Sequence, residues 1–215
     1  MPKKIQPPKI SKKSFTLILI LTAAAAVLGV RWYLESSRSA VQTTQTRAKG
    51  HPNAPIQISE YIDFQCSACA AGAKQLKEYL AQYPDKIHLE MRYYPLVNMH
   101  PHALPAARYA QCAAKQGKFW SLHDLLIERQ NEWKVLTNAD SAFLQMAKEV
   151  PLDMKSLEVC LQDENIVKTI FEEKDQGSSL GVQSTPTYFI NGKMVVGVKS
   201  LTDMLLPLLQ DDTKK

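Results

Sequence analysis

The sequence predicts an α/β domain whose strands are interrupted by a helical subdomain, with a transmembrane helix ahead of the domain. Three observations predict this fold class. An alternating strand-like run ends at a Cys-x-x-Cys motif that opens a helix. A second strand is followed by helical patterning over about residues 97–178, and a hairpin and a last helix close the chain. With 215 residues and 45% hydrophobic content, the chain is long enough to bury one core with such an insertion.

The first 34 residues predict a basic cytoplasmic tail and a membrane anchor. Residues 1–13 are rich in lysine, and residues 14–34 contain a single charge, that of Arg31. A helix of about 20 residues spans about 30 Å, the thickness of a bilayer's hydrocarbon core. Lysines ahead of the span favour an N-terminus inside the cell and a domain outside it. The expected location is therefore the inner (cytoplasmic) membrane, crossed once, with the catalytic domain in the periplasm or extracytoplasmic space.

A cleaved signal peptide is the alternative for this segment. Its apolar core would be residues 15–22, and Ala24, Ala25 and Ala26 would form the cleavage signature. Cleavage there would leave a markedly apolar start on a soluble product, so the uncleaved anchor is preferred. Both alternatives export the domain to a compartment where thiol pairs persist in the oxidised form.

Residues 35–53 predict a polar linker, and residues 54–215 the folded domain. The linker has almost no large apolar residue and no periodicity, so it cannot bury enough surface to fold alone. Beyond residue 34 the chain holds 20 basic and 21 acidic residues, a net charge of −1. This balance provides no electrostatic footprint for nucleic acid, which excludes that class of partner.

The first strand, at residues 56–64, carries an acid on its apolar face. Ile56, Ile58, Ile62 and Phe64 share this face with Glu60. A carboxylate directed into a core is costly unless it has a partner or stays protonated. Two interpretations stay open: an edge strand whose Glu60 reaches water, or a buried acid beneath the dithiol that relays or accepts its proton.

Cys66 and Cys69 form the Cys-x-x-Cys motif at the point where the strand gives way to a helix. Half of a zinc site has the same spacing, but Cys112 and Cys160 lie far apart and complete no second motif, so redox chemistry is favoured over metal. The helix predicted after the motif places Cys66 at its N-terminus, where the helix dipole favours a thiolate. Cys69, one turn later, is then the resolving thiol.

The helical block contains two cysteines and two histidines of interest. In an exported protein, Cys112 and Cys160 most simply form a structural disulfide, and two buried free thiols are the alternative. His100 and His102 flank a proline, a pattern more typical of a loop than of metal ligands. No metal is therefore expected.

The chain returns to strands near its end. A run that begins at Thr185 and Pro186 leads into Asn191 and Gly192, the strongest short signal for a β-hairpin. A proline that opens a strand fits an edge or a cis turn. Ser200 and Asp203 have the spacing of a capping box, which predicts the start of the last helix there, and Pro207 should kink or shorten that helix.

The order of these motifs resembles the DsbA-like thiol–disulfide oxidoreductase family of the thioredoxin superfamily. The resemblance covers about residues 50–210 and implies a thioredoxin-like fold with an inserted helical subdomain. It implies that Cys66 attacks, that Cys69 resolves and that Glu60 is a buried carboxylate. It further implies that Pro186 is cis, with the Thr185 backbone pairing an extended substrate strand. Cys112 and Cys160 match positions where some members hold a disulfide in the helical domain.

The function expected is that of a membrane-anchored extracytoplasmic thiol–disulfide oxidoreductase, acting in the oxidising direction. Its substrates would be exported cysteine-containing proteins, and a quinone-linked membrane partner would reoxidise it, as the family implies. No cofactor is expected besides the Cys66–Cys69 disulfide, and the short linker favours a monomer. Two departures from the best-known strong oxidants keep a reductase or isomerase, supplied by a membrane electron donor, as an alternative: Ser67 and Ala68 replace Pro-His, and Thr185 replaces an aliphatic residue. A tethered binding module or chaperone without turnover is the other alternative.

Overall fold

The computed structural model of the protein describes residue 18, residues 21–31 and residues 47–210. Residues 21–31 form a helix, α1, with exposed side chains. Among the residues just given, none of the helices has the length and hydropathy needed to cross a membrane. The predicted tail (1–13), much of the predicted anchor (14–34) and most of the predicted linker (35–53) lie outside these residues.

The domain is built on one mixed five-stranded sheet in the order β1-β3-β2-β4-β5. The strands are β1 (Ala48–Gly50), β2 (Ile56–Ile62), β3 (Ile87–Tyr93), β4 (Thr187–Ile190) and β5 (Lys193–Val196). β2 and β3 run parallel, whereas the pairs β1–β3, β2–β4 and β4–β5 are antiparallel. β2 is thus paired on both sides, and the edge-strand interpretation of Glu60 is wrong.

The helices follow the predicted order around this sheet. After α1 they are α2 (Ser67–Gln82), α3 (Ala103–Lys115), α4 (Phe119–Glu128), α5 (Gln130–Trp133), α6 (Asp140–Glu149), α7 (Met154–Gln162), α8 (Glu164–Ser179) and α9 (Gly197–Gln210). Six of them, α3 to α8, stand between β3 and β4 and form the helical insertion predicted for about residues 97–178. Asp153 caps α7 through its side chain, which accepts a hydrogen bond from the backbone N–H of Ser156.

The last helix begins three residues earlier than the capping-box pattern predicted and continues through Pro207. Gly197 has a φ of 79°, a conformation that glycine adopts without steric cost, and this residue turns the chain directly from β5 into α9. The helix needs no cap at Ser200 for this reason. Leu201, Leu205 and Leu209 are buried along one face, and this packing on the sheet holds the helix beyond the proline.

The last residues of the predicted linker (35–53) include a strand of the sheet. Ala48 to Gly50 form β1, an edge strand that pairs with β3. Arg47 is buried and makes an ion pair with Glu173 of α8, while the Trp120 indole donates to the Ala48 carbonyl oxygen at 3.0 Å. A three-residue strand held by backbone bonds and one ion pair has no hydrophobic alternation, so the sequence pattern did not show it.

Two large clusters of buried side chains hold the domain together. One joins α2 and α9 to the sheet, with Ile58, Leu76, Tyr188 and Leu201 among its members. The other lies between the sheet end and the helical insertion and contains Cys69. The Cys112–Cys160 disulfide, predicted above, connects α3 to α7 inside the insertion and closes a loop of 48 residues. On the chain-entropy account, such a bond stabilises the fold by roughly 4 kcal/mol.

Candidate active site

The two cysteines of the motif differ sharply in exposure. Cys66 is the N-cap residue of α2 and is partly exposed, whereas Cys69 lies in the first turn and is fully buried. Both are free thiols in the structure. Cys66 is therefore the sulfur that another protein can reach, and Cys69 is accessible mainly to Cys66.

The surroundings of the two sulfurs shift the pKa values of the two thiols in opposite directions. The pKa of the Cys66 thiol falls from 9.0 to about 5, first because the Cys69 side chain donates to it and further because backbone N–H groups at the start of α2 do so, against an opposing effect of burial. Burial and the charge of Cys66 raise the pKa of Cys69 well above its usual value. The reduced site therefore holds a thiolate at Cys66 and a thiol at Cys69 near neutral pH.

This asymmetry predicts a titration that ultraviolet absorbance can follow. In the reduced protein, we expect the thiolate absorbance to appear with a midpoint near pH 5, because Cys66 ionises there. Cys66→Ser should remove this step while the Cys112–Cys160 disulfide stays silent. A protein that shows no ionisation below about pH 8 would contradict an activated nucleophile at residue 66.

The Thr185–Pro186 peptide bond is cis, as the resemblance implied. The Thr185 carbonyl oxygen lies 3.5 Å from the Cys66 Sγ, which donates to it when protonated. The Thr185 hydroxyl is buried and makes no hydrogen bond of ordinary geometry, but it lies close enough to lower the pKa of both thiols. A backbone carbonyl oxygen therefore lies directly beside the accessible sulfur.

Polar side chains that the sequence analysis did not identify hold the loop before α2 in place. Asp63 is buried and accepts hydrogen bonds from the backbone N–H groups of Gln65 (2.7 Å) and Leu96 (2.8 Å), and from the His100 ring at 2.8 Å. Gln130, from the insertion, donates to the carbonyl oxygens of Phe64 (2.7 Å) and Cys66 (3.0 Å). The helical insertion thus fixes the backbone that carries the nucleophile.

Glu60 lies in β2, opposite Tyr188 of β4, and is 1% exposed. Burial raises its pKa to about 8, and the nearby Tyr188 hydroxyl opposes this shift only in part. Neither Glu60 Oε1 nor the Tyr188 hydroxyl has a hydrogen-bond partner of ordinary geometry. Burial is the main cause that raises the pKa of Tyr188, and the charges of Glu60, Cys69 and Cys66 raise it further, so this tyrosine lies near both the acid and the dithiol.

Gly72, one turn after Cys69, provides the space that Tyr188 occupies. A Cβ atom at this position would stand 2.1 Å from the Tyr188 hydroxyl oxygen. The sequence showed only a glycine inside a helix pattern, and no local signal indicated its partner in β4. The register between β2 and β4 pairs Glu60 with Tyr188, and the β4–β5 hairpin does not fix that register.

The histidines considered as metal ligands have other partners. The His100 ring contacts Asp63, and His102 Nε2 lies 2.7 Å from the Leu136 carbonyl oxygen. Across the described parts of the chain, no group of three or more histidine, cysteine or acidic side chains has the arrangement of a metal site.

A thioredoxin family model matches residues 42–206, most of the chain and all of the site. The chain belongs to the thioredoxin superfamily. Within it, the fold is similar to that of DsbA-type proteins, the family that the motif order resembles. Among solved structures, DsbA2 of Pseudomonas aeruginosa is 26% identical and superposes with a TM-score of 0.60 over 79% of this chain and 97% of that one. Alpha-DsbA1 of Wolbachia pipientis, 21% identical, gives a TM-score of 0.65 over 76% and 90% of the two chains and shows the shared fold.

Curated relatives of this DsbA-like chain are much longer proteins. Na(+)/H(+) antiporter NhaA 3 of Salinispora tropica is 33% identical over 170 residues, which are 79% of this chain and 25% of that protein. NhaA 1 of Salinispora arenicola is 34% identical over the same shares. The chain thus spans about a quarter of the length of the relatives it matches, and their names describe the longer proteins.

Proposed function

We propose that this DsbA-like protein is a membrane-anchored, extracytoplasmic oxidase of protein thiols. It donates the Cys66–Cys69 disulfide to exported cysteine-containing proteins. The observation that carries the proposal is the unequal pair of sulfurs, with an exposed, strongly stabilised thiolate at Cys66 and a buried thiol at Cys69. This arrangement favours the reduced form of the site, and a site that favours its reduced form oxidises other thiols.

The reaction moves two electrons from the client to the enzyme. A client thiolate attacks Cys66 Sγ of the oxidised site, a mixed disulfide forms, and Cys69 leaves and takes up a proton. A second client thiolate then attacks the client sulfur of the mixed disulfide and releases Cys66 as a thiolate. The client gains a disulfide, and the enzyme keeps both electrons. We further propose that a quinone-linked membrane partner accepts these electrons and restores the Cys66–Cys69 disulfide.

The direction of thiol–disulfide exchange depends on pH because the pKa of Cys66 is lowered. The pKa of Cys66 is lowered in the folded protein, so the reduced form is more stable than it would be with an ordinary thiol. This stabilisation is complete above the ordinary thiol pKa, decreases as the pH falls, and is lost as the pH falls through about 5. At neutral pH the stabilised thiolate therefore raises the reduction potential of the couple. Acidification toward pH 5 should reduce this contribution.

The proposed location rests on two features of the chain. Residues 14–34 have the length and composition of a membrane anchor with a basic N-terminal flank. The Cys112–Cys160 disulfide is typical of proteins in oxidising compartments outside the cytosol. A periplasmic or extracytoplasmic domain on a single inner-membrane anchor agrees with both, and the short linker agrees with a monomer.

The reduction potential of the Cys66–Cys69 couple tests the proposed direction. We expect equilibration with glutathione to give a value closer to about −120 mV, typical of a strong oxidant, than to about −270 mV, typical of a thioredoxin. Ala68→His, which restores the histidine of the strong oxidants, serves as a matched variant and should raise the potential. A parent value near −270 mV would favour the reductase or isomerase supplied by a membrane electron donor. A site that equilibrates with neither glutathione form would favour a binding module.

A further inference from the structure

A small cavity lies beside Glu60, on the side of β2 that faces α2 and α4. It is lined by the charged and titratable side chains of Lys49, Glu60, Lys77, His123 and Asp124, together with apolar groups that include Leu76 and Trp120. Its volume is about 10 Å³, close to the space that one water molecule needs. Lys77 is 55% exposed, so the cavity extends from a fully buried acid to a residue at the surface.

Two buried polar atoms on the residues lining this cavity lack hydrogen-bond partners. They are Glu60 Oε1 and His123 Nε2. Buried polar atoms in folded proteins are almost always paired with protein groups or with ordered water, because leaving one unpaired costs about 1–3 kcal/mol. The cavity has room for one water molecule, and a water molecule can accept a bond from one such atom and donate to the other.

His123 is held so that its Nε2 is the free atom. Its Nδ1 lies 2.9 Å from Asp124 Oδ1, and the rings of Phe64, Phe119 and Trp120 surround it. Burial lowers the pKa of His123, and the pKa of Asp124 is lowered to about 2 by His123, Lys49 and Lys77 in spite of partial burial. The imidazole is thus neutral near pH 7, with Nδ1–H donated to a permanent carboxylate and the Nε2 lone pair directed elsewhere.

We propose that a single water molecule bridges Glu60 and His123, and that His123 is the outlet through which Glu60 exchanges its proton with solvent. The inference rests on the proposed function, in which Cys69 takes up one proton each time the enzyme is reduced and loses it each time the enzyme is reoxidised. A proton leaving Glu60 passes to the water, and the water passes a proton to His123 Nε2. His123 returns to its neutral form by releasing a proton at Asp124, between Lys49 and Lys77, where solvent has access. Uptake follows the reverse order.

Deuterium exchange of the Glu60 carboxyl group tests this route without any thiol turnover. At about pH 6, below the raised pKa of Glu60, the infrared band of its protonated carboxyl is identified by its loss in Glu60→Gln. We expect rapid exchange in the parent protein and a slowing of roughly 10²-fold in His123→Phe, which keeps an aromatic ring but cannot carry a proton. His123→Gln should slow the exchange as well, and this variant provides the test if His123→Phe does not fold.

His88→Phe is the matched control, because His88 also has a buried ring nitrogen without a partner but does not line the cavity. Its exchange should equal that of the parent. In His123→Ala, added imidazole should restore fast exchange, a result that a purely structural histidine would not give. Equal exchange in the parent and in both His123→Phe and His123→Gln would overturn the proposal. Because oxidised protein is used, a failure of the oxidase function would leave this measurement unaffected.

Discussion

Cys66→Ala is expected to lower the rate of oxidation of a reduced test protein by roughly 10³-fold or more, to the uncatalysed level. Cys66 is the only sulfur of the pair that a client can reach, since Cys69 is fully buried behind it. No other described sulfur can substitute, because Cys112 and Cys160 are bonded to each other. The measurement is the loss of free thiols in the client over time, with purified enzyme in its oxidised form.

Ser67→Ala is the control for this substitution, because Ser67 is exposed and lies beside the nucleophile without contributing a sulfur. Its rate should stay close to that of the parent. Full activity in Cys66→Ala would show that turnover does not pass through this residue and would contradict its role as the nucleophile.

The second large effect is expected for Gly72→Ala, which should destabilise the protein by about 1–3 kcal/mol, the range found for overpacked cores. The added Cβ would stand 2.1 Å from the Tyr188 hydroxyl oxygen. Tyr188 is fully buried in the cluster between the sheet and α2, so the ring has little room to retreat. Urea unfolding of the oxidised protein measures the change, with the denaturation midpoint as the readout.

In a protein that carries Tyr188→Phe, Gly72→Ala should stabilise the fold instead of destabilising it. Without the hydroxyl, the nearest atoms to the new Cβ are the ring Cζ at 3.4 Å and the Val198 Cγ2 at 3.6 Å, which are ordinary contacts. Alanine is then favoured over glycine in a helix interior by about 1 kcal/mol. If Gly72→Ala is equally damaging with tyrosine and with phenylalanine at residue 188, the close contact is not its cause.

Local patterns predicted the fold well where a single element carried its own signal. The alternation before Cys66, the helix that follows it, and the Asn191–Gly192 turn, with φ values of 48° and 81°, all appear as expected. The β1 strand escaped prediction because its stability comes from Arg47 and its partner Glu173, 126 residues away. No pattern within a few residues of Arg47 carries that information.

In the active site, too, local features were predictable from the sequence, whereas contacts between distant residues were not. The roles expected of Cys66, Cys69 and Glu60 depend on spacing along the chain and on one strand face, and both are visible in the sequence. The contacts of Gly72 with Tyr188, and the cavity shared by Glu60 and His123, join elements that are distant along the chain. Such contacts depend on the register of the sheet and on how the insertion docks, which local periodicity does not specify.

Trapping a client on Cys69→Ala tests directly whether Cys66 carries out disulfide exchange. In this variant the mixed disulfide at residue 66 cannot be resolved from within the enzyme, so it should accumulate when the reduced protein meets a cystine-containing peptide. Peptide mapping by mass spectrometry is predicted to find the client attached to Cys66 alone. Absence of any adduct, or attachment at Cys112 or Cys160 in its place, would contradict disulfide exchange through the exposed thiolate at the start of α2.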